Sequence, residues 1–315
     1  MSFTKIKRAV IGVAIAAAVG VSAAFAGCTI ETKHPRAQIT VEFNNQQYVL
    51  EYTLYRNLFP QTVRHFIELA EAGFYNDTII HDYTSNDIYG GGYKYDSEAY
   101  AGAIDGDTMD DYLDDGDYFL EDDYYNDYAP DLTATVFEDG GYSYDEDGNM
   151  VLNRGDALST LYGEFEDNGH IIESGARSSD YGCIKMYYSE KVIENPADAH
   201  VLVRTGTGKL LTGEYQYNSA TSLFAIQVAN STSLSTDSYA TFAYLTDDDA
   251  VATLDSLLDA IDDYIDEEYN SSSEFTVEVD TETDRFEEIG AQATAVTYDV
   301  PKLPIIIRSV RITSY

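Results

Sequence analysis

Apolar and polar residues alternate on both sides of a turn near the start of the globular sequence. Residues 39–43 place Ile, Val and Phe at every second position, and residues 48–52 repeat the pattern with Tyr, Leu and Tyr. Asn44 and Asn45 lie between them and favour a tight turn, because Asn tolerates the left-handed backbone conformation. The pattern predicts two strands joined by that turn.

Two longer segments have helical periodicity instead. In 60–72 apolar residues recur at intervals of three and four, Pro60 suits a first helical turn and Gly73 supplies a stop. In 248–265 the Val, Leu and Ile residues fall on one face, and the three Asp residues at 247–249 provide an acidic start. We predict one helix in each segment.

Later in the chain the apolar residues form runs that are typical of buried strands. These runs are HVLVRTG, SLFAIQVA, YATFAYL and the closing LPIIIRSVRITSY, and Gly182–Met186 has a similar pattern. Strands therefore outnumber the two helices. This balance predicts a closed antiparallel barrel with a helix over each open end.

The N-terminus has the features of an export signal. Cationic residues precede an apolar run of small residues over 9–26. The following Cys28 lies in a sequence similar to a bacterial lipobox, which predicts removal of 1–27, lipidation of Cys28 and a tether over 28–37. Cleavage after Ala26 is the alternative, and it would give a soluble secreted or periplasmic protein.

The composition narrows the choice of partners. The 315 residues carry a formal net charge of −38, which excludes nucleic acids and anionic membrane surfaces because both would repel the chain. Membrane contact is therefore expected only through the lipid on Cys28, whereas a cationic client or a divalent cation is compatible with the charge. Once Cys28 is acylated, Cys183 is the only other cysteine, and we expect it to be buried.

Five segments resemble, in the same order, the cyclophilin-type peptidyl-prolyl cis-trans isomerases. They are FPQTVRHFIELAEAGFYNDTIIH, LYGEFEDNG, NSATSLFAIQVANSTSL, YATFAYL and PIIIRSVRI. The resemblance implies a mainly β domain over 38–315, a cyclophilin-like closed eight-stranded antiparallel barrel with two capping helices. The rest of the chain is then acidic insertion, at about 94–156, 170–198 and 265–299.

The resemblance also implies the family's reaction, which is rotation about the peptide bond that precedes proline. Amide resonance opposes this rotation with a barrier of about 20 kcal/mol. In the family an apolar pocket holds the proline ring, and a guanidinium donates to the prolyl nitrogen, so that the twisted amide is bound best. No cofactor is required. The implied partner is a proline-containing peptide or an unfolded exported protein.

Matching the motifs residue by residue implies that this site is degraded. His81 stands before the position of the family's catalytic Arg, and Asp82 occupies that position. A carboxylate cannot donate to the prolyl nitrogen unless it is protonated, so Arg204 is the candidate for a substitute donor. The resemblance assigns the substrate pocket to Asp87, Ile88, Gly90, Val203, Leu223, Ala225, Leu234 and Tyr239, with Val203 and Arg204 on the strand adjacent to SLFAIQVA.

We therefore expect weak or absent isomerase activity, and two other functions stay open. One is a non-catalytic peptide-binding or chaperone module that holds extended peptides along the old cleft. The other is a cation-binding acidic surface lipoprotein. Which of these applies depends in part on the acidic insertion.

Residues 95–149 contain nineteen Asp and Glu and no Lys or Arg, a composition that suits a hard cation such as calcium. Neither loop-like stretch fits an EF-hand. Gly116 at the sixth position places Leu113 at the third, and Gly148 there places Arg154 at the twelfth. A solvated acidic surface and an acidic arm that recruits basic clients are the alternatives.

Overall fold

The computed structural model describes the chain from residue 34 onward, with gaps. Side chains are described at 34–114, 117, 118, 120, 164, 180–186, 222–229, 240–269, 271–281 and 297–315. For the remaining parts of the strands given below, the backbone alone is described. The export signal, Cys28 and the first part of the tether lie outside the described residues.

Strands dominate the described chain, as predicted. In chain order they are β1 (Arg36–Phe43), β2 (Gln46–Leu54), β3 (Thr78–Tyr83), β4 (Asp87–Lys94), β5 (Ala134–Glu138), β6 (Tyr142–Tyr144), β7 (Met150–Leu152), β8 (Leu158–Tyr162), β9 (Ile184–Tyr188), β10 (Val192–Ile193), β11 (Ala199–Arg204), β12 (Leu210–Glu214), β13 (Ser219–Gln227), β14 (Ala240–Leu245), β15 (Thr276–Thr281), β16 (Ala291–Gln292), β17 (Val296–Pro301) and β18 (Ile306–Ser314).

The two predicted helices are confirmed, and shorter ones accompany them. The helices are α1 (Pro60–Ala72), α2 (Ser97–Gly106), α3 (Met109–Asp114), α4 (Asp248–Glu268) and α5 (Ser272–Phe275). Over the ranges that the structure describes, no helix combines the length and the apolar character needed to cross a membrane.

Eight strands close into an antiparallel barrel, which confirms the predicted fold. Their order is β13-β4-β3-β18-β1-β2-β14-β9, and β9 pairs back onto β13. Strand β9 lies inside the range 170–198 that the sequence assigned to an insertion. That boundary is wrong for this part, because β9 is the barrel strand that pairs with β13 on one side and with β14 on the other.

A second row of strands continues the sheet away from the barrel. The first residues of β13 pair with β8, and β5, β11 and β12 follow in that order. Val203 and Arg204 lie on β11, which pairs with β5 and β12. The prediction that they lie on the strand adjacent to β13 is therefore wrong, because the inserted strands separate β11 from the barrel.

The predicted hairpin is formed by β1 and β2. Phe43 pairs with Gln46, which leaves Asn44 and Asn45 as the two turn residues. Both turn residues have left-handed φ angles, 47° and 64°. This is the conformation that a two-residue hairpin turn requires and that Asn adopts at low cost.

Helix α1 is fixed at both ends. Gly73 follows it with φ of 77°, a left-handed C-terminal cap. At the other end, the buried carboxylate of Glu164 accepts hydrogen bonds from the backbone N–H groups of Gln61 at 3.2 Å and Thr62 at 2.9 Å. The first N–H groups of a helix lack partners within it, and the negative charge also suits the positive end of the helix dipole. Glu164 therefore has a structural role.

Helix α4 begins where the acidic run predicted. The side chain of Asp247 caps it by accepting a hydrogen bond from the amide of Ala250 at 3.0 Å. One face of the helix is fully buried through Leu254, Leu257 and Ile261. These side chains join the hydrophobic core that also contains the inward-facing residues of the barrel strands.

Candidate active site

The residues expected at the site lie on neighbouring barrel strands. Asp82 of β3 pairs with Tyr89 of β4, Tyr89 pairs with Ala225 of β13, and Ala225 pairs with Lys185 of β9. Directly paired residues project from the same side of a sheet. Asp82, Tyr89, Ala225, Lys185 and Asp87, two positions before Tyr89, thus form one surface outside the barrel, which we call the outer face.

Two of the expected pocket residues face the core instead. Ile88 is fully buried and belongs to the hydrophobic cluster inside the barrel. A Cβ atom on Gly90 would lie 2.9 Å from the side chains of Ile80 and Ile307, which are also core residues. Assigning Ile88 and Gly90 to a substrate pocket is wrong, because the alternation of the strand turns them inward.

The positions that match the cyclophilin motifs include a hydrogen-bonded scaffold behind the outer face. The hydroxyl of Ser222 donates to the carbonyl oxygen of Gly91 at 2.7 Å, and the hydroxyl of Tyr75 donates to the carbonyl oxygen of Ser222 at 3.1 Å. Gly91 has φ of 90°, and a Cβ there would lie 2.7 Å from the Ser222 carbonyl oxygen. The scaffold joins the loop after α1 to β4 and β13.

Asp82 takes part in a contact that a guanidinium could not make. Its Oδ1 accepts a hydrogen bond from the backbone N–H of Asp299 on β17, with an N to O distance of 3.0 Å. Burial raises the pKa of Asp82 to about 6, and the negative charges of Asp299 and Asp87 act in the same direction, while the hydrogen bond from the Asp299 amide opposes them.

A buried ion pair lies where the family's proline pocket was expected. The ammonium Nζ of Lys185 lies 2.5 Å from Oδ1 of Asp87, and the two side chains are only 2% and 9% exposed. The pair bridges from β9 to β4 across β13, over the small side chain of Ala225. The small side chain of Ala225 leaves room for the Lys185 side chain to reach Asp87.

His81 is packed as a structural residue. It is fully buried, and its ring contacts the rings of Tyr93 and Tyr298 with centroid distances of 4.9 Å and 4.8 Å. Both contacts are edge-on, the geometry that aromatic rings prefer. Tyr298 belongs to β17, so His81 lies beneath an inserted strand.

The inserted segments cover this part of the barrel with a second hydrophobic cluster, distinct from the core. Strands β15 and β17 pair with each other as an antiparallel ribbon, and β17 contacts β3. Helices α2 and α3 contribute the other side of the cluster. Its buried members are Ile79, Tyr93, Tyr100, Ala103, Met109, Tyr112, Leu113, Val279, Tyr298 and Val300. The chain thereby buries its own outer face at β3.

The sequence model of the family described as cyclophilin type peptidyl-prolyl cis-trans isomerase/CLD matches residues 38–278 of this chain. The chain belongs to the cyclophilin family. The match begins within β1 and includes all the other barrel strands except β18, so it contains the strand pair that carries His81 and Asp82.

Solved cyclophilin structures are similar to this chain at low identity. A crystal structure of a Cryptosporidium parvum cyclophilin type peptidyl-prolyl cis-trans isomerase in the presence of the dipeptide Ala-Pro has 15% identity and a TM-score of 0.37, covering 89% of this chain and 99% of that one. A second structure of the same Cryptosporidium parvum protein has 15% identity and a TM-score of 0.38, covering 90% of this chain and 99% of that one. No curated protein matches the chain.

The remaining cyclophilin pocket positions divide into two groups. Leu223 and Ala225 are buried on β13, and neither is open to solvent. Leu234 and Tyr239 lie outside the described residues, as do the side chains of Val203 and Arg204. The role of Arg204 as a substitute donor therefore stays a prediction.

Lys185 and Asp299 are the residues of this cyclophilin site that sequence reasoning missed. Lys185 stands between two buried apolar residues, Ile184 and Met186, and that placement is the one signal that could have drawn attention to it. Asp299 had no such signal, since its contact with Asp82 uses the backbone. Among the described side chains, no group of three or more His, Cys, Asp or Glu is placed to hold a metal ion.

Proposed function

We propose that this cyclophilin-family protein has lost prolyl isomerisation at the family's site and acts as a non-catalytic binding protein of the cell envelope. The observation that carries the proposal is the buried ion pair of Lys185 and Asp87 over Ala225. A proline ring needs an apolar pocket, and displacing one partner of a buried ion pair would leave an uncompensated charge. Binding a proline ring there is therefore unfavourable.

The electrostatics of position 82 support the same conclusion. Catalysis requires a donor directed at the prolyl nitrogen in the twisted amide. Asp82 is an acceptor at neutral pH, because even its raised pKa of about 6 leaves it mostly ionised. Its Oδ1 is also engaged by the amide of Asp299. A transition state that concentrates a lone pair on nitrogen would be repelled by this carboxylate.

The cover over β3 argues against peptide binding along the old cleft. A peptide on the outer face would have to displace β17, whose Tyr298 packs on His81 and whose Asp299 amide is bonded to Asp82. The described residues thus favour binding elsewhere on the molecule. Export and the lipid on Cys28 are part of the proposal, and they rest on the N-terminal sequence.

A protease-coupled assay with a chromogenic Ala-Ala-Pro-Phe peptide tests the loss of isomerisation. We expect the cis-to-trans rate to equal the uncatalysed rate. The protein concentration should be one at which a cyclophilin that has the catalytic Arg measurably accelerates the same reaction. The assay should follow gel filtration, so that any activity can be assigned to the protein peak.

The variant Asp82→Ala sharpens this assay. Acceleration that elutes with the protein would overturn the proposal whether or not Asp82→Ala abolishes it. If the variant is inactive, Asp82 itself takes part in turnover. If it is equally active, another donor such as Arg204 has replaced the family's Arg.

A further inference from the structure

A cleft of about 540 Å³ lies beside the covered face, between the β3–β4 turn, α4 and α5. It adjoins the expected site through Asp299, and its other walls come from Tyr83 to Ser85, from Val228, from one side of α4 and from the segment Ser272 to Thr276. The expected proline-pocket positions on β4 and β13 do not line it.

One wall of the cleft is apolar. Val228, Leu258 and Ile265 supply aliphatic surface. The ring of Tyr83 also lines the cleft and packs edge-on against Phe275, with a centroid distance of 5.8 Å. Such a wall suits an unbranched hydrocarbon chain, whose burial contributes about 0.8 kcal/mol per CH₂ group.

The polar part of the cleft is acidic. Asp262 of α4 and Asp299 of β17 line it, together with Ser and Thr hydroxyls, and no Lys or Arg is among its described lining residues. The pKa of Asp262 is raised by burial and by the neighbouring carboxylates of Asp259, Asp266 and Asp263. A bound cation would relieve this repulsion between like charges.

The combination of an aliphatic wall and an acidic end selects the class of ligand. A divalent metal would need several converging oxygen ligands and would gain nothing from the aliphatic surface. No group of three metal-binding side chains occurs among the described residues. An ammonium group on a short hydrocarbon stem satisfies both parts, because such chains bury the stem and keep the charged end in polar surroundings.

We propose that this cleft binds an alkylammonium group, with the hydrocarbon stem against Leu258 and Ile265 and the ammonium at the carboxylates of Asp262 and Asp299. The group can come from a lysine side chain of a basic client or from a free polyamine. The proposal does not depend on the loss of isomerisation, since the expected proline-pocket positions on β4 and β13 do not line the cleft and Asp299 contacts Asp82 only through its backbone N–H.

Calorimetric titration of the whole protein tests the proposal with three probes of known structure. Nα-acetyl-lysine methylamide represents a peptide lysine, and 1,5-diaminopentane represents a free polyamine. Nα-acetyl-norleucine methylamide has an apolar side chain of similar length without the ammonium. We expect heat with the first two and none with the third. The tighter of the two amines identifies the source of the ligand.

Two variants on the same helix locate the site. Asp262→Asn should weaken amine binding about tenfold, the loss of one charge-assisted hydrogen bond. Asp263→Asn removes the same charge one residue further on, outside the cleft lining, and should weaken binding less than about twofold. Thermal melting of both variants shows that they are folded.

Three outcomes would overturn the proposal. One is the absence of heat with both amines at millimolar concentration. Another is equal binding of the norleucine analogue, which would make the site merely apolar. The third is an equal effect of Asp262→Asn and Asp263→Asn, which would mean that amines respond to the general negative charge of the protein. None of these outcomes changes what the isomerase assay measures, so the amine-binding proposal and the proposed loss of isomerisation can fail independently.

Discussion

The carboxylate of Asp82 accepts a hydrogen bond from the backbone amide of Asp299, 217 residues later in the chain, at 3.0 Å. The contact connects Asp82, at the position where the resemblance places the family's catalytic Arg, to β17, a strand of the inserted segments. Strand β17 presents an N–H donor at the position where the family has a donor of its own, and two donors cannot satisfy each other. An acceptor at position 82 and the placement of β17 over β3 are therefore compatible with each other, whereas an Arg at position 82 would leave the Asp299 amide without an acceptor.

Replacing Asp82 by Asn should stabilise the protein at neutral pH. In the folded state its pKa is raised from 3.8 to about 6, so ionisation of Asp82 is less favourable in the folded protein than in the unfolded chain and costs stability at neutral pH. Each pKa unit corresponds to about 1.4 kcal/mol, so the whole shift corresponds to at most about 3 kcal/mol. The amide oxygen of Asn can still accept from Asp299. Urea unfolding at several pH values measures the difference in free energy of unfolding.

The sign of the pH dependence distinguishes this explanation from a simple loss of contact. Because the folded protein holds the proton on Asp82 more tightly, the penalty is absent below about pH 4, grows between about pH 4 and 6, and is complete above pH 6. The advantage of Asp82→Asn should follow the same curve. A variant that is less stable than the original protein at pH 7, or an advantage that increases towards pH 4, would contradict it.

Restoring the family's residue should not restore the family's activity. Asp82→Arg places donors against the Asp299 amide, leaves that N–H without its acceptor and keeps the ion pair beneath. We expect no isomerase activity and a loss of about 1–3 kcal/mol in the free energy of unfolding. Asp82→Asn is the matched control, because it keeps an acceptor. Measurable turnover by Asp82→Arg would mean that the cover and the ion pair do not block the site.

Removing one partner of the buried ion pair should destabilise the folded protein far more than replacing both partners by apolar residues. Lys185→Met leaves the carboxylate of Asp87 buried without its charged partner, at a cost of about 3–5 kcal/mol. The double variant Lys185→Met with Asp87→Leu should recover most of that loss. A double-mutant cycle by urea unfolding measures the coupling. Additive effects of the two single substitutions would contradict the pairing.

Local patterns in the sequence were sufficient for the hairpin, for α1 and for α4. Their turn, cap and periodicity signals all lie within the elements themselves, as with Asn44 and Asn45 or Asp247. Five motifs in family order then identified the barrel. These features depend on neighbours in the sequence or on the order of the motifs, and the structure confirmed them.

The site itself depends on contacts that no local pattern encodes. Glu164 caps a helix that begins 104 residues earlier, and its contact with Gln61 spans 103 positions. Asp299 reaches Asp82 through its backbone, so its side-chain type gave no signal. The strand that carries Lys185 lies between insertions, which is why it was assigned to one of them. The sequence shows at which site positions this chain departs from the family pattern. It does not show which residues from other parts of the chain occupy the space at those positions.

The cap supplied by Glu164 can be tested directly. Glu164→Ala removes the acceptor for the amides of Gln61 and Thr62 at the buried start of α1. We expect a loss of about 1–2 kcal/mol, the range for N-terminal caps, in urea unfolding. Glu164→Gln keeps one acceptor oxygen and should lose less. Equal losses for Ala and Gln would mean that packing of the side chain, and not the hydrogen bonds, stabilises α1.

Two glycines provide a matched pair that tests the scaffold behind the outer face. Gly91 has φ of 90°, and an added Cβ would lie 2.7 Å from the carbonyl oxygen of Ser222, a backbone atom that cannot move without disturbing β13. Gly102 lies within α2, and a Cβ added there would have no other atom within 4 Å.

Gly91→Ala should therefore destabilise the protein by about 1–3 kcal/mol, from the strained backbone and the clash together. Gly102→Ala should stabilise it by about 0.5–1 kcal/mol, because Ala restricts the unfolded chain and favours the helix. Thermal melting of both variants under one condition decides the point: if they shift the midpoint in the same direction, the close approach of β4 to β13 does not require glycine at position 91.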